Sequence, residues 1–126
     1  MNAISDESDL PHLILFPCQL NKAFGTAFCD DGAMNNYISL KYAKQAKLCI
    51  QPTMGQVRMA NGMSMRKYGT VKFPLHIGEW HGIVKAIVLN LNEFDVILGM
   101  LWHHQWKPQI DWDVLDMEID TDRGVK

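Results

Sequence analysis

Much of what this 126-residue chain lacks narrows its chemistry. Cysteine is sparse: Cys18, Cys29 and Cys49 form an odd set, with neither a Cys-x-x-Cys spacing nor a disulfide-framework pattern. A disulfide-stapled secreted scaffold is therefore not expected, and a reducing intracellular setting, cytoplasmic or nuclear, is the default. An excess of charge is missing too. A net charge of −2 offers no electrostatic footprint for nucleic acid or for an acidic membrane surface. No apolar run approaches the ~20 residues of a membrane span. Leu13-Ile14-Leu15-Phe16 is too short for one and lacks the basic flank of a secretory signal. Internal repeats and low-complexity tracts are absent. What remains is ordinary globular composition, 48% hydrophobic and 21% charged, at a length that suits one core and is too short for two.

The chemistry is concentrated in Ala27-Phe28-Cys29-Asp30-Asp31-Gly32-Ala33. Phe24, Thr26 and Phe28 alternate with Gly25, Ala27 and Cys29, so residues 22–29 read as a half-buried strand. That strand runs straight into two carboxylates and a glycine, which marks a tight turn displaying an acid. Gly32 permits backbone conformations denied to other residues and lets a second segment come close. An Asp-Asp-Gly triplet taken alone reads more readily as a plain surface turn.

Two longer blocks separate these readings. Gly32-Ala33-Met34-Asn35-Asn36-Tyr37-Ile38-Ser39, followed much later by Asp95-Val96-Ile97-Leu98-Gly99-Met100-Leu101-Trp102, resembles the retropepsins, the aspartic proteases of retroviruses and retrotransposons, and among them the Ty3/gypsy type. The family pattern is Asp-Ser/Thr-Gly-Ala, then Asn, an aromatic, Ile and Ser, and later Val-Ile-Leu-Gly-Met-Asp-Trp. Together the blocks are specific, and the resemblance spans roughly residues 13–119. It implies that Asp30 is catalytic, that Asp31, Gly32 and Ala33 line the substrate cleft, and that Ile97 forms part of its side wall. It also implies that Gly99 lets the late strand cross close behind the catalytic turn. This chain departs from the pattern at two places. Asp31 stands where the family has Ser or Thr, and Leu101 where the gypsy type usually has Asp.

Taken in order, residues 1–11 are polar and acidic and read as a flexible leader, and residues 12–119 as the domain. Residues 12–20 are a strand candidate interrupted at Pro17 and therefore expected at an edge. Ser39 can cap a helix reaching Lys47, with Leu40, Ala43 and Ala46 on one face; Pro52 and Gly55 then break the pattern. Asn61-Gly62 between residues 56–60 and 63–66 suits a type I′ hairpin. By the resemblance this is the flap that closes over substrate, at about residues 57–68, with Met59, Ala60, Asn61, Gly62 and Met63 at its tip. Met59, Met63 and Met65 would give it an adaptable apolar surface.

Val71, Phe73, Leu75 and Ile77 alternate through residues 70–77, residues 78–82 read as a turn, and residues 83–91 as the returning strand. The nearly continuous apolar run at 94–98 suits a strand buried on both faces. A short helix over 101–106, terminal strands over 109–112 and 115–119, and a polar tail over 120–126 complete the chain. The expected fold is mostly β: a retropepsin-like closed barrel with one or two short helices and a flap hairpin, acting as a homodimer.

The homodimer follows from the chemistry. Peptide hydrolysis by carboxyl groups needs two of them sharing one proton, an ionised one to activate water and a protonated one to polarise the carbonyl. This chain offers one credible Asp-x-Gly turn, because Asp122-Arg123-Gly124 lies in the polar tail with no strand feeding it. Each copy would therefore contribute Asp30 across a two-fold axis. A Ser or Thr hydroxyl at position 31 both accepts and donates hydrogen bonds, whereas Asp31 donates only when protonated. A dimer would gather four carboxylates near its axis.

The expected activity is thus aspartic endopeptidase action on a peptide or polyprotein, with no cofactor, metal, nucleic-acid or membrane partner. The alternative is a catalytically inactive retropepsin-like module for binding or dimerisation. A metal enzyme built on His81, His103, His104 and the cysteines is disfavoured. Adjacent His103 and His104 cannot face one site on a regular element. Trp80, Trp102, Trp106 and Trp112 read as core or interface anchors, and Asp111 and Asp113 as a water-facing strand edge.

Overall fold

The computed structural model describes residues 14–30, 32–59, 62–111 and 116–119. The leader at 1–11, the tail at 120–126, Asp31, Ala60, Asn61, Trp112, Asp113 and the Asp122–Gly124 triplet lie outside them. The chain folds as β1 (Ile14–Leu20), β2 (Ala23–Cys29), β3 (Tyr37–Ser39), α1 (Leu40–Gln45), β4 (Gln51–Pro52), β5 (Gln56–Arg58), β6 (Ser64–Arg66), β7 (Gly69–Ile77), β8 (Trp80–Leu89), β9 (Val96–Leu98), α2 (Met100–Trp106), β10 (Gln109–Asp111) and β11 (Asp116–Glu118). The large sheet runs β1-β2-β9-β3-β8-β7-β4, and β1 also pairs with β7. That last pairing closes six of the strands into a barrel and leaves β4 hanging on the seam. The mostly β, closed-barrel expectation holds, with two short helices.

Alternation drives the long strands. In β7 every second residue, from Gly69 and Val71 through Phe73 and Leu75 to Ile77, is buried. β1 alternates in the same way, and its outward Pro17 does not interrupt it. The reason lies in the ladder. Thr26, opposite Pro17, sends its N–H to Asp95 Oδ2 at 2.9 Å, away from β1. Pro17 therefore occupies a non-hydrogen-bonded pair, where its missing N–H removes no bond to β2. Pairing with β7 engages only Gln19 and Leu20, so the Pro17 end of β1 is an edge as expected.

Ser39 caps α1 by accepting the N–H of Tyr42 at 3.0 Å. The helix ends at Gln45 rather than Lys47, which sits in left-handed conformation at φ +57°. Two short strands escaped the sequence reading. β3 is only three residues long and is held between β8 and β9, while β4 pairs two residues with β7.

The turn expected at 78–82 is narrower. Ile77 pairs with Trp80 across Gly78-Glu79, and Gly78 takes φ +58°. Trp80, His81 and Gly82 therefore belong to β8. Gly82 is a strand residue because two indoles cover it: a Cβ there would lie 2.7 Å from Trp106 and 2.8 Å from Trp80.

The barrel interior holds one apolar cluster, which includes Phe16, Leu20, Ile38, Phe73, Val88, Leu98 and Met117. At one side Trp80 meets Trp102 and Trp106 edge to face, with ring centres 5.5 and 5.0 Å apart. These three tryptophans are core anchors. A second cluster of Phe28, Tyr37, Leu89 and Ile97 lies on the opposite faces of β2, β3, β8 and β9. Those strands are thus buried on both faces where the second cluster covers them, which accounts for the continuous apolar run at 94–98.

Candidate active site

Two strands deliver the acid. β2 and β9 run parallel, with Phe28 opposite Ile97 and Cys29 opposite Leu98. The Asp30 N–H then donates to Leu98 O at 3.0 Å. The carboxylate begins where the ladder ends, at the rim. Its Oδ1 accepts the Gly32 N–H at 2.9 Å. A Cβ on Gly32 would stand 3.1 Å from that same oxygen, so the close approach itself favours glycine.

The loop that follows is fastened to α2. The first N–H groups of a helix have no partner within it, and Gly99 brings no side-chain cap. The loop supplies the acceptors: Ala33 O takes the Met100 N–H at 2.7 Å and Met34 O that of Leu101 at 3.1 Å. Gly99 makes this crossing possible, because a Cβ there would collide with Asn35 O and lie 2.6 Å from Ala33 O. The expected close crossing behind the acidic turn is present.

Asn36 completes the fastening. It is 4% exposed, accepts the Gly99 N–H on Oδ1 at 3.0 Å and donates from Nδ2 to Lys85 O at 3.2 Å. Its own carbonyl takes the Ile87 N–H at 3.0 Å. A buried side-chain amide with its oxygen and its nitrogen both engaged is a positioning device. Sequence reasoning quoted Asn36 only as part of a motif. The available signal was a polar amide directly before a buried apolar strand, which demands internal partners.

A groove of about 550 Å³ opens in front of the acid, lined by Asp30, Gly32, Ala33, Met34, Asn35, Tyr37, Gln56, Val57, Arg58, Met59 and Ile97. Of the residues expected there, Asp30, Gly32, Ala33, Met59 and Ile97 converge on it. Asp31, Ala60 and Asn61 lie outside the described residues. Gly62 and Met63 are not among the lining residues, and Met63 is 65% exposed. Tyr37, Gln56, Val57 and Arg58 were not anticipated as lining.

β5 and β6 form the expected hairpin above this groove, pairing Val57 with Met65. The tip residues Ala60 and Asn61 lie outside the described residues, so the turn type expected at Asn61-Gly62 does too. The Gly62 N–H bonds Met59 O at 2.9 Å and the Met59 N–H bonds Met63 O at 2.8 Å. Gly62 itself takes the left-handed conformation at φ +85°. Val57, Met59 and Met65 pack against the second cluster, which also takes in Ala33. The hairpin's apolar side and the floor of the groove are thus one surface.

Of the two buried thiols, Cys29 adjoins Asp30 and Cys18 lies across from Gly25 toward the other end of β2, and burial makes both poor nucleophiles. Burial pushes the Cys29 thiol up to about 12. Cys18 is pushed up to about 11, chiefly by burial against the opposing effect of its contact with Tyr42. His103, flagged in the sequence, gives Nδ1 to a 2.7 Å contact with Gly99 O and sets its ring against Trp102. Among the described residues no three His, Cys, Asp or Glu side chains gather as metal ligands.

Comparison with known proteins agrees with this architecture. No curated protein sequence matches the chain. Solved structures that share its fold include the following. The retroviral protease-like domain of Ddi1 from Leishmania major is 18% identical, covering 86% of this chain and 88% of its own, with TM-score 0.68. A retropepsin-like aspartic protease from Rickettsia conorii is 17% identical, covering 94% and 86%, with TM-score 0.61. The EIAV protease complexed with the inhibitor HBY-793 is 13% identical, covering 79% and 92%, with TM-score 0.60. The model of the PEG10/RTL1 protease domain matches residues 26–123, from the strand that carries the acid to the C-terminal tail. The chain therefore belongs to the PEG10/RTL1 protease domain family and is a retropepsin-like aspartic protease domain.

Proposed function

We propose that this domain is an aspartic endopeptidase that hydrolyses peptide bonds of a polyprotein as a homodimer, each copy contributing Asp30 to a shared dyad. The observation that carries the reading is the seat of Asp30. One carboxylate is held at the ends of two parallel strands, at the edge of an apolar groove with a methionine-bearing hairpin above it. A second copy related by a two-fold axis supplies the missing partner. Of the two carboxyl groups, the ionised one takes a proton from the attacking water. The protonated one gives its proton to the carbonyl oxygen as the diol forms. The proton taken from water then passes from the first carboxyl group to the leaving nitrogen, while the diol hydroxyl returns a proton to the second. The dyad thus ends with the one proton it began with. The groove's apolar walls, Ala33, Val57, Met59 and Ile97, bind side chains of an extended substrate without demanding one shape.

The test is cleavage of a mixed peptide library across about pH 4 to 7, the range in which a shared-proton dyad operates. Parent chain and Asp30→Asn are compared. Asparagine keeps the shape and abolishes the shared proton, so cleavage should fall roughly a thousandfold or more. Asp31 favours a second reading, an inactive module for peptide binding or dimerisation, because it cannot reproduce a hydroxyl's dual bonding while ionised. A folded parent that binds library peptides and cleaves none would select that reading.

A further inference from the structure

Away from the groove, the tip of the β7–β8 hairpin sets two imidazoles side by side. His76 and His81 are directly opposed across the ladder, with ring centres 5.5 Å apart and planes 23° from parallel. We propose that they form a two-histidine site for a divalent transition-metal ion of the zinc, nickel and copper group.

The ladder's hydrogen-bond parity supports the geometry. The Ile87 N–H goes to Asn36 O, away from β7, so Thr70–Ile87 is a non-hydrogen-bonded pair. Steps of two residues carry that class to Lys72–Lys85, Pro74–Ile83 and His76–His81. Pro74, which has no N–H to give, fits the same class. Non-hydrogen-bonded pairs bring Cα atoms to about 4.5 Å and their side chains closest together.

Both imidazoles are exposed on the outer face of the barrel. Among the described residues neither ring nitrogen is engaged in a hydrogen bond, so both remain free as donors to a metal. Two imidazoles at ~2 Å from one tetrahedral ion hold their ring centres about 5 Å apart. The rings already stand near that spacing, and rotation about exposed side-chain bonds turns them from stacked to convergent.

The electrostatic surroundings permit a cation. Lys72 and Lys85 share this face but lie four residues along each strand, about 13 Å away, beyond the Debye length at physiological salt. Glu79, an acid, is in the hairpin turn itself. Imidazole is a borderline ligand suited to zinc, nickel and copper and poorly suited to magnesium or calcium. Water would complete the coordination.

The experiment uses the untagged full chain carrying Cys49→Ser, which removes the exposed thiol as a competing ligand. Calorimetric titration with Ni²⁺ and with Zn²⁺ should give one site per chain. His76→Ala and His81→Ala should each weaken it by about 100-fold, because each leaves a single imidazole without its chelate partner. The double variant His103→Ala/His104→Ala should leave it unchanged. In the proton spectrum, Zn²⁺ should shift the ring signals of His76 and His81 alone. Absence of binding by the parent, retention of affinity in either single variant, or loss of it in the His103/His104 variant would overturn the assignment.

Discussion

The two apolar clusters of this small barrel are built differently, and the contrast separates what holds the chain together from what it presents. The interior cluster is large and deeply buried, is rich in branched aliphatic residues and aromatics, and includes Trp80 packed edge to face on Trp102 and Trp106. The outer cluster has four buried residues, Phe28, Tyr37, Leu89 and Ile97, and a half-buried fringe that includes Ala33, Val57, Met59 and Met65. Part of its cover is a two-stranded hairpin that joins no other sheet. Such a hairpin is marginal alone and relies on packing beneath it. Stability should therefore reside in the first cluster and adaptability in the second.

The harshest way to break the contrast is Trp80→Ala. Trp80 is 1% exposed and touches both other tryptophans. Its loss should cost about 3–5 kcal/mol in denaturant unfolding. If it cost less than truncation of Met59, the interior would not be the stabilising cluster.

That assignment was partly legible beforehand. The alternation of Val71, Phe73, Leu75 and Ile77, and the Ser39 cap, are local signals, and they placed β7 and the start of α1, though not its end. β3 was not legible, because three residues cannot show a period and their pairing partners lie far off at Ile87 to Leu89 and Val96 to Ile97. Trp80 to Gly82 read as a turn because glycine usually marks one; here tertiary contact with Trp106 explains the glycine. In the site, the motif brought Asp30, Gly32, Ala33 and Ile97. Tyr37, Gln56 and Arg58 reach the groove from β3 and β5, three-residue strands too short to show a period.

A second intervention acts where the two regions join. Gly99 ends β9 and lies under the Ala33 and Asn35 carbonyls. Gly99→Ala must push the acidic loop outward, which should cost roughly 1–3 kcal/mol of stability. Peptide cleavage should fall further than that loss explains, since the displaced loop is the one carrying Asp30. Equal, small effects on both would mean that the loop is not held by this crossing.

The interior also carries a pH signature. Cys18 and Cys29 are buried with thiols raised to about 11 and about 12, and Tyr42 is raised in the same direction by burial. The folded state therefore holds these protons more tightly than the unfolded state, whose thiols titrate near 9. Their contribution to stability is complete below pH ~9 and is lost as pH rises through the folded values. Unfolding midpoints should be flat in this respect up to about pH 9 and decline above it. A thiol reagent at neutral pH should label Cys49 quickly and the other two only on unfolding.

The gentlest change tests the outer cluster. Met59→Leu conserves volume and apolarity, so a close-packed interior would register it as strain, though rarely above about 1.5 kcal/mol. At Met59 the neighbours are a half-buried fringe and the open groove, which can shift to receive a branched side chain. Stability should change by less than about 0.5 kcal/mol, as at positions free of packing constraint. What should change is discrimination among peptides, because leucine offers fewer shapes than methionine to the substrate side chain beside it. Comparing cleavage profiles of the parent and Met59→Leu over one peptide panel reads this directly. A narrowed profile at constant stability fits a surface that recognises. A destabilised protein with an unchanged profile would make the hairpin a piece of the core, and the two clusters would then differ only in size.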